Sequence, residues 1–502
     1  MVRAGGLALL ALVPALLVWL STPRGSGLSQ DSVSYLAAAR SLAAGDGLLT
    51  YTGDPLTLFP PGLPLVLGLA ESAGWQAQSA AVAVNAVCAA LIVVGAYRLA
   101  RGCGLGLVGA FAVATFTSLS SATVSVFAWL WTEPLFAVLV LGALILLVGM
   151  IRRQEVRWGP VIGVGLLVSA ATGVRYVGLV MIGIAALGAW LALRDGPRHL
   201  RWRWVAIVAG LSSTGLLVVA ARNLALGSGP LGERYPGTRT LEGALEATIE
   251  VLGSYVAPPQ ATLLTAEAGV LVAVLLGVGA WLAVVRRDGP VTLLAAVVVI
   301  YLAAIVWSQA ATRLDMASTR LLAPAFVPLV VVAAYALRET VQSMADQLGR
   351  PASRVLWGLV GTVFVLAVAA SLLQGLRFVS DARANGIGLA EPATASELAA
   401  AVAELPVETG AASNDPWLVY LRVGEPPVLP LPPSAGEWPP DRVAADTQRL
   451  AAAVRSGSVT HAAVFDGGGA IEPLETLGAE GIVATPVSEL ADGTLYVLTP
   501  TP

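Results

Sequence analysis

The chain has 502 residues, 56% of them hydrophobic and 12% charged, with a formal net charge of -3 and a mean hydropathy of +0.78. That balance excludes an ordinary soluble enzyme and describes a polytopic membrane protein. All the basic residues are Arg, and no basic stripe of the kind that binds nucleic acid is present.

The first apolar run covers 4–21. Its core, Gly5–Leu20, also fits a signal peptide, but no small-x-small cleavage site follows, so it reads as an uncleaved first span. Next comes a loop, 22–76, containing DSVSYLAAARSLAAGDGLLTYTGDPLTLFPPGLP over 31–64. Asp31 starts a short helical segment there, with Tyr35, Ala39 and Leu42 at helical spacing. Asp is a good N-cap, so a capped interfacial helix is one reading of Asp31. Asp46 and Asp54 read as turn residues.

Further runs long enough to cross a bilayer, about 20 residues at 1.5 Å per residue, recur at 77–99, 104–121, 131–150, 158–173, 176–193 and 204–221. Others follow at 263–285, 290–308, 321–337 and 355–375, giving about eleven spans. The two flanking Arg175 are short and also fit one bent unit. The loop 222–262 holds a turn-rich part and a helical part near 240–256. From 376 the composition gains Pro, Glu, Asp and Thr. Helical stretches (393–404, 441–455) alternate with β-like runs (409–413, 427–431, 460–465, 482–486, 494–499), and Pro426–Pro440 is a Pro-rich loop. The expected architecture is therefore an all-α polytopic membrane domain, 1–375, followed by a small extracytoplasmic α/β domain, 376–502.

Arginine placement sets the orientation. Arg98 and Arg101, Arg152 to Arg157, Arg194 to Arg203, Arg286 and Arg287, and Arg338 to Arg354 fall in alternate short loops, which the positive-inside rule makes cytoplasmic. The N-terminus is then cytoplasmic and the tail extracytoplasmic. Trp129, Trp131, Trp158, Trp204 and Trp307 sit near span ends, as an aromatic belt does. Cys88 and Cys103 read as small core residues. They and the distant His199 and His461 lack metal-ligand spacing, so no cofactor is expected, with a divalent metal left open.

On the external side this topology gathers Asp31, Glu133 in Trp131-Thr132-Glu133-Pro134, Arg175, Arg222, and the pair Asp315 and Arg320. Charge beside a bilayer needs a partner or a function. Glu133 also suits the helix dipole, Arg175 a snorkelling position, and Asp315 with Arg320 a local ion pair.

The 31–64 loop resembles the first external loop of the GT-C glycosyltransferases, in the branch of the aminoarabinose transferases and protein O-mannosyltransferases. The matching residues are Asp31, Tyr35, Ala39 with Arg40, Leu42, Gly45 and Phe59-Pro60-Pro61-Gly62 with Pro64. Where many relatives carry paired acids, this chain has Asp31-Ser32, and a Lys that some relatives place beside the Pro-Pro turn is missing. The resemblance covers about 1–375. It implies a bacterial cytoplasmic-membrane enzyme that moves a sugar from a polyprenyl-phosphate donor to a glycan, lipid or protein acceptor on the outer face. Asp31 matches the loop acid that serves as base, and Glu133 the second external acid. Arg320, in Arg320-Leu-Leu-x-Pro324, matches a motif that lies close to the lipid phosphate in relatives, and Arg175 a basic position followed by Gly-Leu. Both arginines are read as holding the donor phosphate, and Tyr35, Asp315 and Arg222 as joining the substrate site. The alternatives are a transporter or flippase of lipid-linked glycans and a non-catalytic scaffold of envelope assembly. A transporter should carry ionisable residues at mid-span and an internal repeat; the acids here lie in external loops.

Overall fold

The computed structural model describes residues 2–257, 262–348, 350–406, 410–424, 427–432, 440–466 and 471–501. Most of the Pro-rich loop Pro426–Pro440 lies outside them. The chain divides into two compact units. The first comprises Met1–Pro23, Thr57–Leu63 and Ala81–Ala384, and the second Arg24–Leu56, Pro64–Ala80 and Asn385–Pro502.

The helices begin with α1 (Val2–Ser21), α2 (Gln30–Ala44), α3 (Gly62–Ser72), α4 (Ala77–Gly102) and α5 (Leu107–Leu119). They continue as α6 (Ser121–Phe127), α7 (Glu133–Arg153), α8 (Trp158–Val174), α9 (Leu179–Ala192), α10 (Arg198–Ala225) and α11 (Leu241–Ser254). The last long ones are α12 (Thr262–Val285), α13 (Gly289–Ala311), α14 (Thr319–Leu348) and α15 (Arg350–Asn385). Each of the eleven predicted runs falls on this set. Among the described residues eight helices are long and apolar enough to cross a membrane, and α8 and α9 are shorter apolar helices. The run 104–121 ends in a break: α5 and α6 meet at Ser120 with a bend of 47°.

The first unit buries one continuous apolar core, to which α4, α7, α9, α13 and α14 contribute Val93, Leu144, Ile184, Leu294 and Val331. Its outward surfaces are apolar too. Leu359, Val363 and Leu366 on α15 and Leu9, Leu12 and Leu16 on α1 are exposed. A helix apolar on every side suits a lipid surround. Both cysteines are buried in the core, with free thiols.

The second unit is α/β. Its tail runs α16 (Ala390–Ala395), α17 (Glu397–Ala403), β1 (Gly410–Ser413), α18 (Pro416–Val423), β2 (Val428–Pro430), α19 (Pro440–Arg455), β3 (Val459–Phe465), α20 (Ile471–Ala479), β4 (Ile482–Leu490) and β5 (Gly493–Pro500). The five strands form one sheet in the order β2-β1-β3-β5-β4. β1 pairs in parallel with β2 and β3, while β5 runs antiparallel to β3 and β4. All five β-like runs become strands. The helices α18 and α20 were not foreseen.

The first loop belongs to this unit. The Leu28 amide donates to the Ile387 carbonyl at 3.3 Å, and the Leu389 amide to the Leu28 carbonyl at 2.8 Å. Val33 and Ala37 of α2 are buried in one apolar cluster with Leu398, Val419 and Tyr420. Asp54 accepts a hydrogen bond from Thr52 Oγ1 at 2.7 Å and pairs with Arg449 at 2.6 Å, so it ties its turn to α19.

Candidate active site

The site residues of the first unit are set by three chain breaks. At the first, Trp131 and Thr132 end a non-helical segment and α7 begins with Glu133 and Pro134. Proline is tolerated in a first turn because its missing N–H has no helical partner there. At the second, α8 ends at Val174 and Arg175 is extended (φ −147°, ψ 134°). The short 3-10 turn Tyr176–Gly178 then leads into α9. Gly178 permits this turn: a Cβ there would lie 2.8 Å from the Thr172 nitrogen. At the third, Arg320 occupies the first turn of α14, four residues before Pro324, which has no N–H to give the Arg320 carbonyl.

These breaks bring three charges together. Glu133 is completely buried, and its Oε1 forms an ion pair with Arg175 Nη1 at 2.5 Å and accepts a hydrogen bond from Arg320 Nε at 2.7 Å. The arginine side chains are only 15% and 12% exposed. Arg175 Nη1 also donates to Thr132 Oγ1 at 2.7 Å. The Arg320 guanidinium lies over the Trp131 ring, 4.4 Å from its centroid, and Trp131 stacks on Trp129 at 4.6 Å. Asn85 fixes this aromatic pair by donating to the Trp129 carbonyl at 2.7 Å. Asp315, largely exposed, stands 3.6 Å from Arg320 Nη1. The buried trio keeps one net positive charge. A buried carboxylate that holds two guanidiniums fixes their planes, and a fixed guanidinium fork suits a phosphate.

Arg222 lies in a second cluster, reached through Tyr176, the residue after Arg175. Asn223 is fully buried and donates to Tyr176 Oη at 2.6 Å, and Tyr176 Oη donates to the Thr57 carbonyl at 2.8 Å. Arg222 Nη1 donates to Asn223 Oδ1 at 3.3 Å. Arg234 covers the Tyr176 ring at 5.1 Å and donates to the Leu58 carbonyl at 3.3 Å. Here Thr57 and Leu58, from the end of the predicted loop, pack within the first unit.

Asp31 and Tyr35 lie on α2 in the second unit. The helix is capped by Ser29, not Asp31: Ser29 and Ser32 form a reciprocal capping box, and Asp31 occupies the first turn, half-buried. Gly45 closes the helix in the left-handed conformation, with φ 93°. Tyr35 is 1% exposed.

The structure thus joins Glu133, Arg175, Arg320 and Asp315 and sets Arg222 in the neighbouring Tyr176 cluster. The sequence did not mark Thr132, Tyr176 or Asn223 as members. The signals available were adjacency to Glu133, Arg175 and Arg222 and the placement of polar residues at span ends.

The fold has clear counterparts among solved structures. ArnT from Cupriavidus metallidurans bound to undecaprenyl phosphate matches with a TM-score of 0.64 and 14% identity, over 98% of each chain. AglB, the archaeal oligosaccharyltransferase from Archaeoglobus fulgidus in complex with an inhibitory peptide and a dolichol-phosphate, matches at 0.55 and 11% identity. That match covers 92% of this chain and 69% of that one. Arabinofuranosyltransferase AftD from Mycobacteria matches at 0.54 and 17% identity, over 98% of this chain and 41% of the other. No family model and no curated protein matches the chain in sequence. These identities carry a likeness of fold: the chain has the GT-C fold.

Proposed function

We propose that the chain is an integral-membrane glycosyltransferase of the bacterial cytoplasmic membrane. It transfers a sugar from a polyprenyl-phosphate donor to an acceptor hydroxyl on the outer face. The observation that carries this reading is the buried Glu133 with Arg175 and Arg320 packed on it. The matched structures that hold undecaprenyl phosphate and dolichol-phosphate support the donor class.

Transfer is a single displacement. The acceptor oxygen attacks the anomeric carbon and the bond from that carbon to the phosphate oxygen breaks, inverting the centre. The acceptor proton passes to the Asp31 carboxylate. The polyprenyl phosphate leaves with the bonding electron pair, and Arg175 and Arg320 stabilise its growing charge. Phosphate leaves without acid help, so a second carboxylate need not protonate it. Glu133 positions the two arginines. Arg222 adds positive charge from the Tyr176 cluster, Asp315 and Tyr35 shape the substrate site, and the tail guides the acceptor.

The test is Asp31→Asn. Ser29 caps the helix, so the substitution leaves the cap intact and removes the proton acceptor. The variant should insert and bind polyprenyl phosphate like the parent. Transfer from a panel of polyprenyl-phosphate sugars should fall by about 10²-fold or more. Transfer near the parental rate would remove Asp31 as base and leave Asp315 as the next candidate.

A further inference from the structure

A different polar cluster lies at the opposite end of the first unit's helices. Along α7, Arg152 is 19 residues beyond Glu133, roughly 28 Å at 1.5 Å per residue. There a cavity of about 480 Å³ opens among the ends of α4, α7, α9, α12, α13 and α14. Small-molecule sites occupy roughly 300–1,000 Å³. Arg152, Arg194, Arg286, Arg287 and Arg338 line it, and Asp288 and Glu339 are its acids. The lining therefore carries a formal excess of three positive charges.

These arginines are placed by specific bonds. Glu339, almost fully buried, pairs with Arg286 and with Arg338 Nε at 3.7 Å. Arg152 Nε donates to the Gly102 carbonyl at 2.6 Å, and Arg338 Nη1 to the Gly104 carbonyl at 2.9 Å. Arg194 Nη1 donates to the Arg287 carbonyl at 2.7 Å. A guanidinium has five N–H donors, and these bonds engage only part of each. Among the described residues, the non-glycine positions with left-handed backbone are Gln154 (φ 51°) and Arg287 (φ 54°), and both line this cavity. Such conformations are costly and gather at ligand sites.

Arginine at span ends also serves topology, but that role does not require convergence. Arg98, Arg153, Arg157, Arg198 and Arg203 lie at or beside helix ends in the same stretches of sequence and stay outside the cavity lining. Val284 and Val285, exposed on the last turn of α12, lead straight to Arg286 and Arg287, so an apolar membrane face runs into the basic lining. We infer that this cavity binds the phosphate headgroup of an anionic membrane phospholipid, whose acyl chains lie along the α12 surface.

The test uses the full chain, purified and delipidated in detergent, with native mass spectrometry after addition of phosphatidylglycerol, phosphatidylcholine or glycerol phosphate. Phosphatidylglycerol should bind roughly 10-fold or more tightly than phosphatidylcholine and resist displacement by equimolar glycerol phosphate. The double variant Arg152→Gln with Arg287→Gln should lose about 10-fold in phosphatidylglycerol affinity. The control, Arg153→Gln with Arg157→Gln, should retain it. If the double variant does not fold, Arg287→Gln alone, at an exposed side chain, should show a smaller loss of the same kind. An equal loss in the control pair, equal affinity for phosphatidylcholine, or displacement by glycerol phosphate would each overturn the inference.

Discussion

Glu133 is an acid with no exposed surface at the start of a membrane-spanning helix, and its energetics follow from its two partners. An unpaired buried carboxylate is strongly disfavoured, whereas one that accepts from two guanidiniums is compensated. Removing its charge leaves two largely buried cations facing a neutral amide. Glu133→Gln should therefore destabilise the first unit by about 3 kcal/mol, seen as a lower midpoint in detergent thermal unfolding. It should also reduce transfer, because Arg175 and Arg320 lose their common anchor. An unchanged midpoint would mean that the trio contributes little to folding. The arginines are distinguished by what Lys can replace. Lys keeps charge but loses the planar fork. Arg175→Ala and Arg320→Ala should weaken polyprenyl-phosphate binding by roughly 10- to 150-fold, and the Lys variants by less. Parental binding by both Ala variants would shift the phosphate site to Arg222 and Arg234.

At the scale of elements, the α8–α9 break shows how a short sequence signal positions a charge. Arg175 reaches Glu133 because α8 stops at Val174, and the chain turns within three residues because Gly178 has no Cβ to strike Thr172. Gly178→Ala should force the turn open, cost roughly 1–3 kcal/mol as overpacking does, and weaken donor binding by displacing Arg175. Unfolding midpoint and polyprenyl-phosphate affinity together check this. Apolar run length made the spans legible, and alternation made the five tail strands legible. Other features were not. The bend at Ser120 has no Pro or Gly to announce it. In α18, Trp417-Leu418-Val419-Tyr420-Leu421 is a short unbroken apolar run, which periodicity cannot assign. For α2, Asp31 and Ser29 both offer a capping oxygen, and only geometry chose Ser29. The candidate charges were visible one by one. The closure of Arg320 on Glu133, 187 residues away, was not, because local patterns do not encode distant pairing.

At the scale of the whole chain, the second unit draws on both ends of the sequence. Leu28 pairs with Gly388 and Tyr51 with Val428, so a boundary drawn by composition at 376 does not see that the first loop and the tail share a core. The first unit supplies an argument about topology. Its arginine-rich cavity collects Gly104 after α4, Gln154 after α7, Arg194 after α9, Arg287 before α13 and Arg338 on α14. Gln154 and Arg194 share that cavity, so the chain leaves it through α8 and returns to it through α9. That return predicts two crossings rather than one bent span. The positive-inside rule predicts a cytoplasmic cavity end and an extracytoplasmic C-terminus. A reporter fused after Arg287 should therefore be active only in the cytoplasm, and one fused after Pro502 only outside. A third, inserted at Arg175, should report outside. A cytoplasmic signal at Pro502 with the other two as expected would place the error after α13, in α14 or α15. A cytoplasmic signal at Arg175 would mean that α8 and α9 do not cross as a hairpin, and Glu133, bonded to Arg175, would lose its outer-face assignment with it.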